Sequence, residues 1–441
     1  MKNPFTEMTC RRSVGFFGVG KTSLALMRLC ADDADIVLRS DNEIDSSILP
    51  PDIAARIYTS DGATAEIGED ILVCSPSVRR ERIFAQGETL VTSDFEIFLR
   101  YNEKPTIIVT GSDGKTTTTA LTSKILGEDF PAIGNIGEPM TPHLTDGARG
   151  YVIEASSFML RYADPRSRRA AITSFSENHL NWHRDLAEYR EAKMRAVKNT
   201  NEAVFSLDSP ELFEGELPKS AFALTAITNS GKELMKKIRA ELYYDVDNGY
   251  VRENGRRLIA ISELKRQEEY NVKNYLNALA LTRGFCSETQ AIEVIRGFGG
   301  LPHRGERFAE ISGVTYIDSS IDTTPARTIA TLSGMPRGII LLLGGRDKGA
   351  DFSQLARLTR AREDRVISFG EMAKRIKEIL PESVIRATEG LSEATELAKS
   401  FAQPGDTVLL SPAATSYDEF SSFEERGDSF KKWILQGFCK S

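Results

Sequence analysis

The residues Gly111, Ser112, Asp113, Gly114 and Lys115 close the apolar run Ile107–Val109 and lead straight into Thr116, Thr117, Thr118 and Thr119. A buried strand, a glycine turn and a helix N-terminus make an anion site, because backbone N–H groups converge there and the helix dipole adds positive potential. Lys115 supplies a full charge, and the hydroxyl of Thr116 stands where a Mg2+ accompanying a nucleoside triphosphate takes a ligand. Further on, Tyr151-Val-Ile-Glu154 is followed by Ala-Ser-Ser157. A carboxylate at the carboxyl end of a strand, beside a phosphate loop, is the arrangement that shares the nucleotide's metal; the alternative is a Glu-Ser pair capping a helix. His179 and His183 stand four residues apart, but no cysteine or third histidine near them completes a zinc set. His179 alone suits Mg2+ or phosphate, whereas His183 reads as a surface residue. Lys193 shares a helix face with Tyr189, and on spacing alone it is an ordinary solvated lysine.

A second glycine-rich stretch competes for the same chemistry. Gly15-Phe-Phe-Gly-Val-Gly-Lys21-Thr22 satisfies the full P-loop spacing. The match is chance if a strand through Gly15–Phe17 simply ends in an ordinary Gly-x-Gly turn, and a third reading has that turn hold a nucleotide sugar as dinucleotide folds hold their ligands. The third reading is preferred, because the loop at Gly111 is better placed for ATP and no acidic strand end partners this one. Ser75-Pro76 follows the short apolar run Ile71–Val73, at a strand end where open sheets bind ligands or where a proline simply turns the chain.

The elements that must position these groups alternate strand and helix throughout, so the fold class is α/β in three domains. Residues 1–102 read as a Rossmann-like domain, residues 103–300 as a central P-loop ATPase-like domain, and residues 301–441 as a doubly wound α/β domain. The turn Tyr101–Pro105 marks the first boundary, and Gly297-Phe-Gly-Gly300-Leu-Pro302 the second. At 27% charged and 41% hydrophobic residues the chain is globular, and a net charge of −7 gives no general basic footprint for nucleic acid. No apolar run is long enough to span a bilayer. The five cysteines form no metal-ligand spacing, and their odd number, without a signal peptide, favours a cytoplasmic location.

In order, the loop Gly111–Thr119, Glu154-Ala-Ser-Ser157, His179 with Tyr189-Arg-Glu-Ala-Lys193, Asn271-Val-Lys-Asn274, His303-Arg304 and Asp318 resemble the Mur ligases over nearly the whole chain. Ser75-Pro76, Gly344-Gly-Arg-Asp-Lys348, Leu410-Ser-Pro-Ala-Ala-Thr-Ser416 and Phe423-Glu-Glu-Arg-Gly-Asp resemble the branch of that family that adds D-glutamate. The resemblance implies ATP, two Mg2+ ions, and a carbamate formed from CO2 on Lys193. It implies phosphate binding by Lys115 and Thr116, metal binding by Thr116, Glu154, His179 and Lys193, and ATP contacts from Asn271, Arg304 and Asp318. Gly18, Ser75, Pro76 and Asn135 would hold the nucleotide sugar, and Lys348, Ser416 and Phe423 the D-glutamate. Carbamylation needs a neutral amine, so Lys193 is expected to be desolvated with a depressed pKa. The implied partners are UDP-N-acetylmuramoyl-L-alanine and D-glutamate, joined by a cytoplasmic monomer in peptidoglycan precursor synthesis without nucleic acid or membrane. The third domain would close over the site to exclude water.

The chain departs from the family pattern at Ser77, where glycine is usual, at Met159 for glutamine, at Tyr270 for histidine, and in the loop Ile317–Thr323, which lacks a lysine. Arg327 could compensate for that lysine. A folylpolyglutamate synthase-like ligase would share the ATP loop without the first domain. A nucleotide switch or kinase would depend on Lys21 rather than Lys115, and a sensor homologue would bind nucleotide sugar without turnover.

Overall fold

The computed structural model describes residues 2–41, 49, 53, 55–59, 67–83, 87–136, 138–180, 182–214, 216–346 and 349–436. Lys348 lies outside the described residues. The chain divides into two compact units, Met1–Phe298 and Gly299–Ser441.

The first sheet comprises Ser13–Phe17 (β1), Asp35–Ser40 (β2), Ala55–Thr59 (β3), Ile71–Cys74 (β4) and Leu90–Thr92 (β5), all parallel in the order β3-β2-β1-β4-β5. The order reverses at β1, the topological switch point of a Rossmann-like half. Gly15 sits inside β1, paired with Val37 on one side and Leu72 on the other. A Cβ there would come within 2.8 Å of Leu72 Cδ1. The first three residues of the P-loop spacing at Gly15–Thr22 therefore belong to the strand, and only Gly18–Gly20 turns before the helix Lys21–Cys30 begins.

The second sheet holds Thr106–Thr110 (β6), Ala132–Gly134 (β7), Tyr151–Glu154 (β8), Arg166–Ile172 (β9), Asn199–Ser206 (β10), Ser220–Ala226 (β11), Arg239–Asp247 (β12), Tyr250–Glu253 (β13) and Arg256–Ala260 (β14). Its order is β14-β13-β12-β11-β10-β9-β6-β8-β7. Strands β6 to β12 are parallel, and β12–β14 form an antiparallel edge. Asn248 and Gly249 turn the β12–β13 hairpin with φ of 48° and 76°, the doubly positive geometry that asparagine and glycine tolerate. Every residue of β6 is buried, as a strand covered on both faces requires.

The helix Asp94–Tyr101 explains why the first two sheets form one unit. Ser93 caps it through Glu96 N–H at 3.3 Å. Its Ile97 joins the core of the first sheet, whereas Phe95 and Phe98 join the core beside β6 and β8. Each buried phenylalanine contributes roughly 1.5–3 kcal/mol. Asp94, buried, accepts the backbone N–H groups of Met140 (2.8 Å) and Thr141 (2.9 Å).

The third sheet consists of Glu306–Ile311 (β15), Val314–Asp318 (β16), Ile340–Gly344 (β17), Arg365–Phe369 (β18), Val384–Ala387 (β19) and Thr407–Ala413 (β20). The order is β15-β16-β20-β17-β18-β19, with only β15 antiparallel to its neighbour. Leu341 and Leu343 enter one core cluster and Ile340 and Leu342 the other, so the unbroken apolar run reflects helices on both faces. Among the described residues, no helix is long and apolar enough to cross a membrane.

Candidate active site

The phosphate loop leaves β6 at the centre of the parallel sheet. Gly114, with φ of 78°, caps the helix Lys115–Leu126. A side chain there would put its Cβ 2.4 Å from Asn274 Oδ1, and one at Gly111 would meet Thr173 Oγ1 at 2.1 Å. The loop is thus drawn tight between β9 and the helix Glu269–Thr282. Ser112 Oγ lies 2.9 Å from the Tyr189 hydroxyl and donates to Ser176 O at 3.0 Å. Asp113 is exposed at the tip, its N–H donating to Ser174 Oγ at 2.8 Å. Lys115 Nζ donates to the carbonyls of Gly111 and Ser112, both at 2.9 Å. Thr116 is half-buried and Thr117 buried in the helix's first turn.

Lys193 comes to the same carbonyl. Its Nζ donates to Gly111 O at 2.6 Å and lies 4.5 Å over the Tyr189 ring. The side chain is 1% exposed. Burial, and secondarily the charge of Lys115, push its pKa well below the ordinary lysine value, with Asp113 pulling the other way. The amine expected to be desolvated is desolvated. Tyr189, one turn away, supplies one wall of the enclosure, but the carbonyl that meets Nζ lies 82 residues away, and spacing alone does not reveal it.

Glu154 ends β8 beside Val109 of β6. It is buried; Oε1 accepts from Asn135 Nδ2 at 2.7 Å, while Oε2 has no hydrogen-bond partner among the described residues. A buried carboxylate oxygen left unmatched beside a phosphate loop fits a hard cation, which takes oxygen ligands. His179 is exposed and holds φ of 57°. Desolvation, then the charges of Lys115 and Lys193, lower its pKa and so favour the neutral imidazole, the form that ligates metals.

His183 is not a surface residue. It is 1% exposed, with Nε2 2.9 Å from Ser157 Oγ and Nδ1 3.5 Å from Glu188. Burial pushes its pKa down to about 4. The ring serves the packing of the helix that follows Glu154, and the two histidines face different partners.

Beside the first sheet lies a cavity of about 300 Å³ lined by Lys21, Thr22, Ser75, Pro76, Asn135 and Met159, among others. Three of the four residues expected at a nucleotide sugar thus meet there. Gly18 does not line it; with φ of 91° it backs onto Ser75, whose Cβ would be 2.8 Å from an added Cβ.

Asn271, at the start of the helix Glu269–Thr282, donates to Glu268 at 3.0 Å. It is Asn274 that packs on the loop, accepting from Thr118 Oγ1 at 3.2 Å.

Within the C-terminal unit, Asp318 at the end of β16 is buried, with Oδ2 2.7 Å from His303 Nδ1 and Oδ1 accepting Ser320 N–H at 2.9 Å. His303, Glu306 and Asp318 could together hold a cation, but the Lys431 ammonium stands 3.1 Å from Glu306 and 3.9 Å from Asp318. Gly427 must be glycine: its Cβ would meet His303 Nδ1 at 2.2 Å. Arg304 is half-buried next to this cluster in sequence. Ser416 is buried after β20, and Phe423 opens the helix Phe423–Gln436 with its ring 6.2 Å from that of His303.

Arg426 was missed by motif reading, although its stretch had been singled out. It is fully buried, and its guanidinium donates to Ser320 Oγ and O (both 2.9 Å) and Ala414 O (3.1 Å). It pins the Ser320 loop to the end of β20. Arg327 does not reach into that loop's interior; it is exposed and donates to Ile321 O at 2.9 Å.

Comparison with known proteins agrees with this arrangement. Residues 109–282 match the Mur ligase middle domain, and residues 303–414 the Mur ligase glutamate ligase domain. The UDP-N-acetylmuramoylalanine–D-glutamate ligase of Coxiella burnetii is 32% identical over 95% of this chain and 97% of its own length. The enzyme of that name from Clostridium perfringens is 31% identical over 98% of each. The crystal structure of the UDP-N-acetylmuramate–alanine ligase of Thermotoga maritima superposes with a TM-score of 0.58 at 18% identity, covering 97% of this chain and 100% of that one. The chain belongs to the Mur ligase family and is an ATP-dependent ligase.

Proposed function

We propose that this ligase joins D-glutamate to UDP-N-acetylmuramoyl-L-alanine through an acyl phosphate. The observation that carries the reading is the convergence of Lys115 and the buried Lys193 on the Gly111 carbonyl, beside a Glu154 oxygen left unmatched. The choice of substrates is supported by relatives of that name spanning nearly the whole chain, the first sheet included. A folylpolyglutamate synthase-like reading does not account for the first sheet and its cavity.

In this reading the turn Gly18–Gly20, Ser75, Pro76 and Asn135 hold the nucleotide sugar and present its carboxylate. One carboxylate oxygen attacks the γ-phosphorus of ATP, the bond to the β-phosphate oxygen breaks, and ADP leaves. The loop amides and the Lys115 ammonium stabilise the charge gathering on the phosphate oxygens, and holding the two reactants together supplies roughly 7–11 kcal/mol of the barrier. Glu154, Thr116 and His179 would hold two Mg2+ ions, which neutralise the phosphoryl oxygens when bound. The buried Lys193 amine, its pKa pushed well down, would take up CO2 and lose a proton to give an anionic carbamate, which would stand among the metal ligands. The D-glutamate amine then attacks the acyl carbon, loses a proton, and expels phosphate. In the C-terminal unit the motif matches assign Arg304 and Asp318, with Asn271 of the central domain, to ATP, and Ser416, Phe423 and Lys348 to D-glutamate.

Phosphate release tests this directly. With UDP-N-acetylmuramoyl-L-alanine and Mg2+-ATP, D-glutamate, L-glutamate, L-lysine and meso-diaminopimelate are supplied separately. Release with D-glutamate alone is expected. Release with another of these overturns the acceptor, and none with any of them, despite nucleotide-sugar binding, would leave a sensor.

A further inference from the structure

The segment after β4 is clasped to the segment that bears His179. Trp182 Nε1 donates to the Ser77 carbonyl at 2.8 Å, and the Arg79 guanidinium lies 5.6 Å over the indole. Arg80 N–H donates to the Tyr162 hydroxyl at 3.1 Å, and the Tyr162 ring meets Trp182 edge-on at 6.3 Å. Ser77 is tied in turn to the cavity wall: its Oγ is 3.2 Å from that of Ser75.

Trp182 is equally tied to His179. Its backbone N–H donates to His179 O at 2.9 Å, as does that of His183. The Phe158 ring lies between them, 4.4 Å from Trp182 and 5.0 Å from His179. These contacts, with Asn178 Oδ1 accepting His179 N–H at 2.8 Å, hold His179 in its left-handed conformation. Strained backbone of this kind persists only where the surroundings over-determine it. The indole N–H is the one link in this set that ties His179's segment to the cavity-lining turn through a hydrogen bond.

We propose that Trp182 is a positioning residue that couples the nucleotide-sugar cavity to His179, so that nucleotide sugar and Mg2+-ATP each strengthen the other's binding. Ser77, where the family pattern has glycine, takes part through its carbonyl, which any residue offers, and adds a hydroxyl that steadies Ser75. This rests on the cavity and metal assignments of the preceding reading.

Calorimetry tests it on the full chain. The Kd of UDP-N-acetylmuramoyl-L-alanine is measured with and without Mg2+ and a non-hydrolysable ATP analogue, in the wild type and in W182F, which keeps a ring but loses the donor. Coupling of about fivefold or more is expected in the wild type, falling below about twofold in W182F, with the analogue's own affinity little changed. Equal coupling in both proteins, or none in the wild type, overturns the proposal. Nucleotide sugar that fails to bind the wild type overturns the cavity assignment as well, which separates the two failures. Because the chain has two tryptophans, W433F leaves Trp182 as the only indole. Its emission should shift on adding nucleotide sugar, and an unmoved spectrum also overturns the proposal, whether or not W182F folds.

Discussion

Asn135 touches both the cavity and Glu154, so its side chain can be read in two ways that a single variant separates. As the donor to Glu154 Oε1 it orients a candidate metal ligand, and losing such a partner costs about 10–100-fold in metal affinity. N135A is therefore expected to raise the Mg2+ concentration needed for half-maximal phosphate release by about that factor. A rise confined to the KM for nucleotide sugar would leave Asn135 with the cavity alone. His183 offers a test at the same scale. Its imidazole is held neutral down to about pH 4 in the folded protein but titrates near 6.5 when unfolded. Between those values the unfolded chain binds the extra proton, so stability contributed here is complete above about pH 6.5 and is lost as pH falls toward 4. Urea denaturation at a series of pH values should show the wild type losing stability relative to H183Q on acidification through that window, whereas parallel curves would exclude it. His183 also shows what a sequence hides. Its partner Ser157 lies 26 residues away, and a single imidazole carries no local mark of burial. Lys193 was visible only through family resemblance for the same reason. Arg426 reaches a loop 106 residues back, so its motif was recognisable while its task was not. Glu154 and Lys115, by contrast, were legible because strand end, turn and helix start are contiguous in the chain.

At the scale of elements, the glycines of the phosphate loop are the sensitive points. Gly114 combines positive φ with a neighbour at 2.4 Å, so G114A strains the backbone and pushes on Asn274. A loss of about 1–3 kcal/mol in unfolding free energy is expected, with a raised KM for ATP. Adding N274A should recover the steric part and leave the backbone cost; if G114A alone denatures like the wild type, the loop is looser than described. The parallel sheets themselves were readable from apolar runs ended by glycine or acid. The exception was Gly15–Thr22, where a match to P-loop spacing falls across β1. The strand's pairing on both sides decides that case, and pairing partners are not written in the segment itself.

For the whole molecule, each compact unit holds its own core. Both apolar clusters of the third sheet draw only on residues of the C-terminal unit. Residues 299–441 expressed alone should melt cooperatively by circular dichroism. Residues 1–102 should not, because Phe95 and Phe98 would lose the core they fill; a cooperative melt of that fragment would show that the helix Asp94–Tyr101 serves the first sheet alone. That shared helix also bears on inheritance. A recombination event that brought in a foreign first sheet would import a helix whose outer face had not been shaped against this chain's Ile133, Met140 and Tyr151. Crossovers near residue 298 leave each descendant a complete core; crossovers near residue 102 do not. The first two sheets are thus expected to share one ancestry along the lineage, while the third is free to have a history of its own.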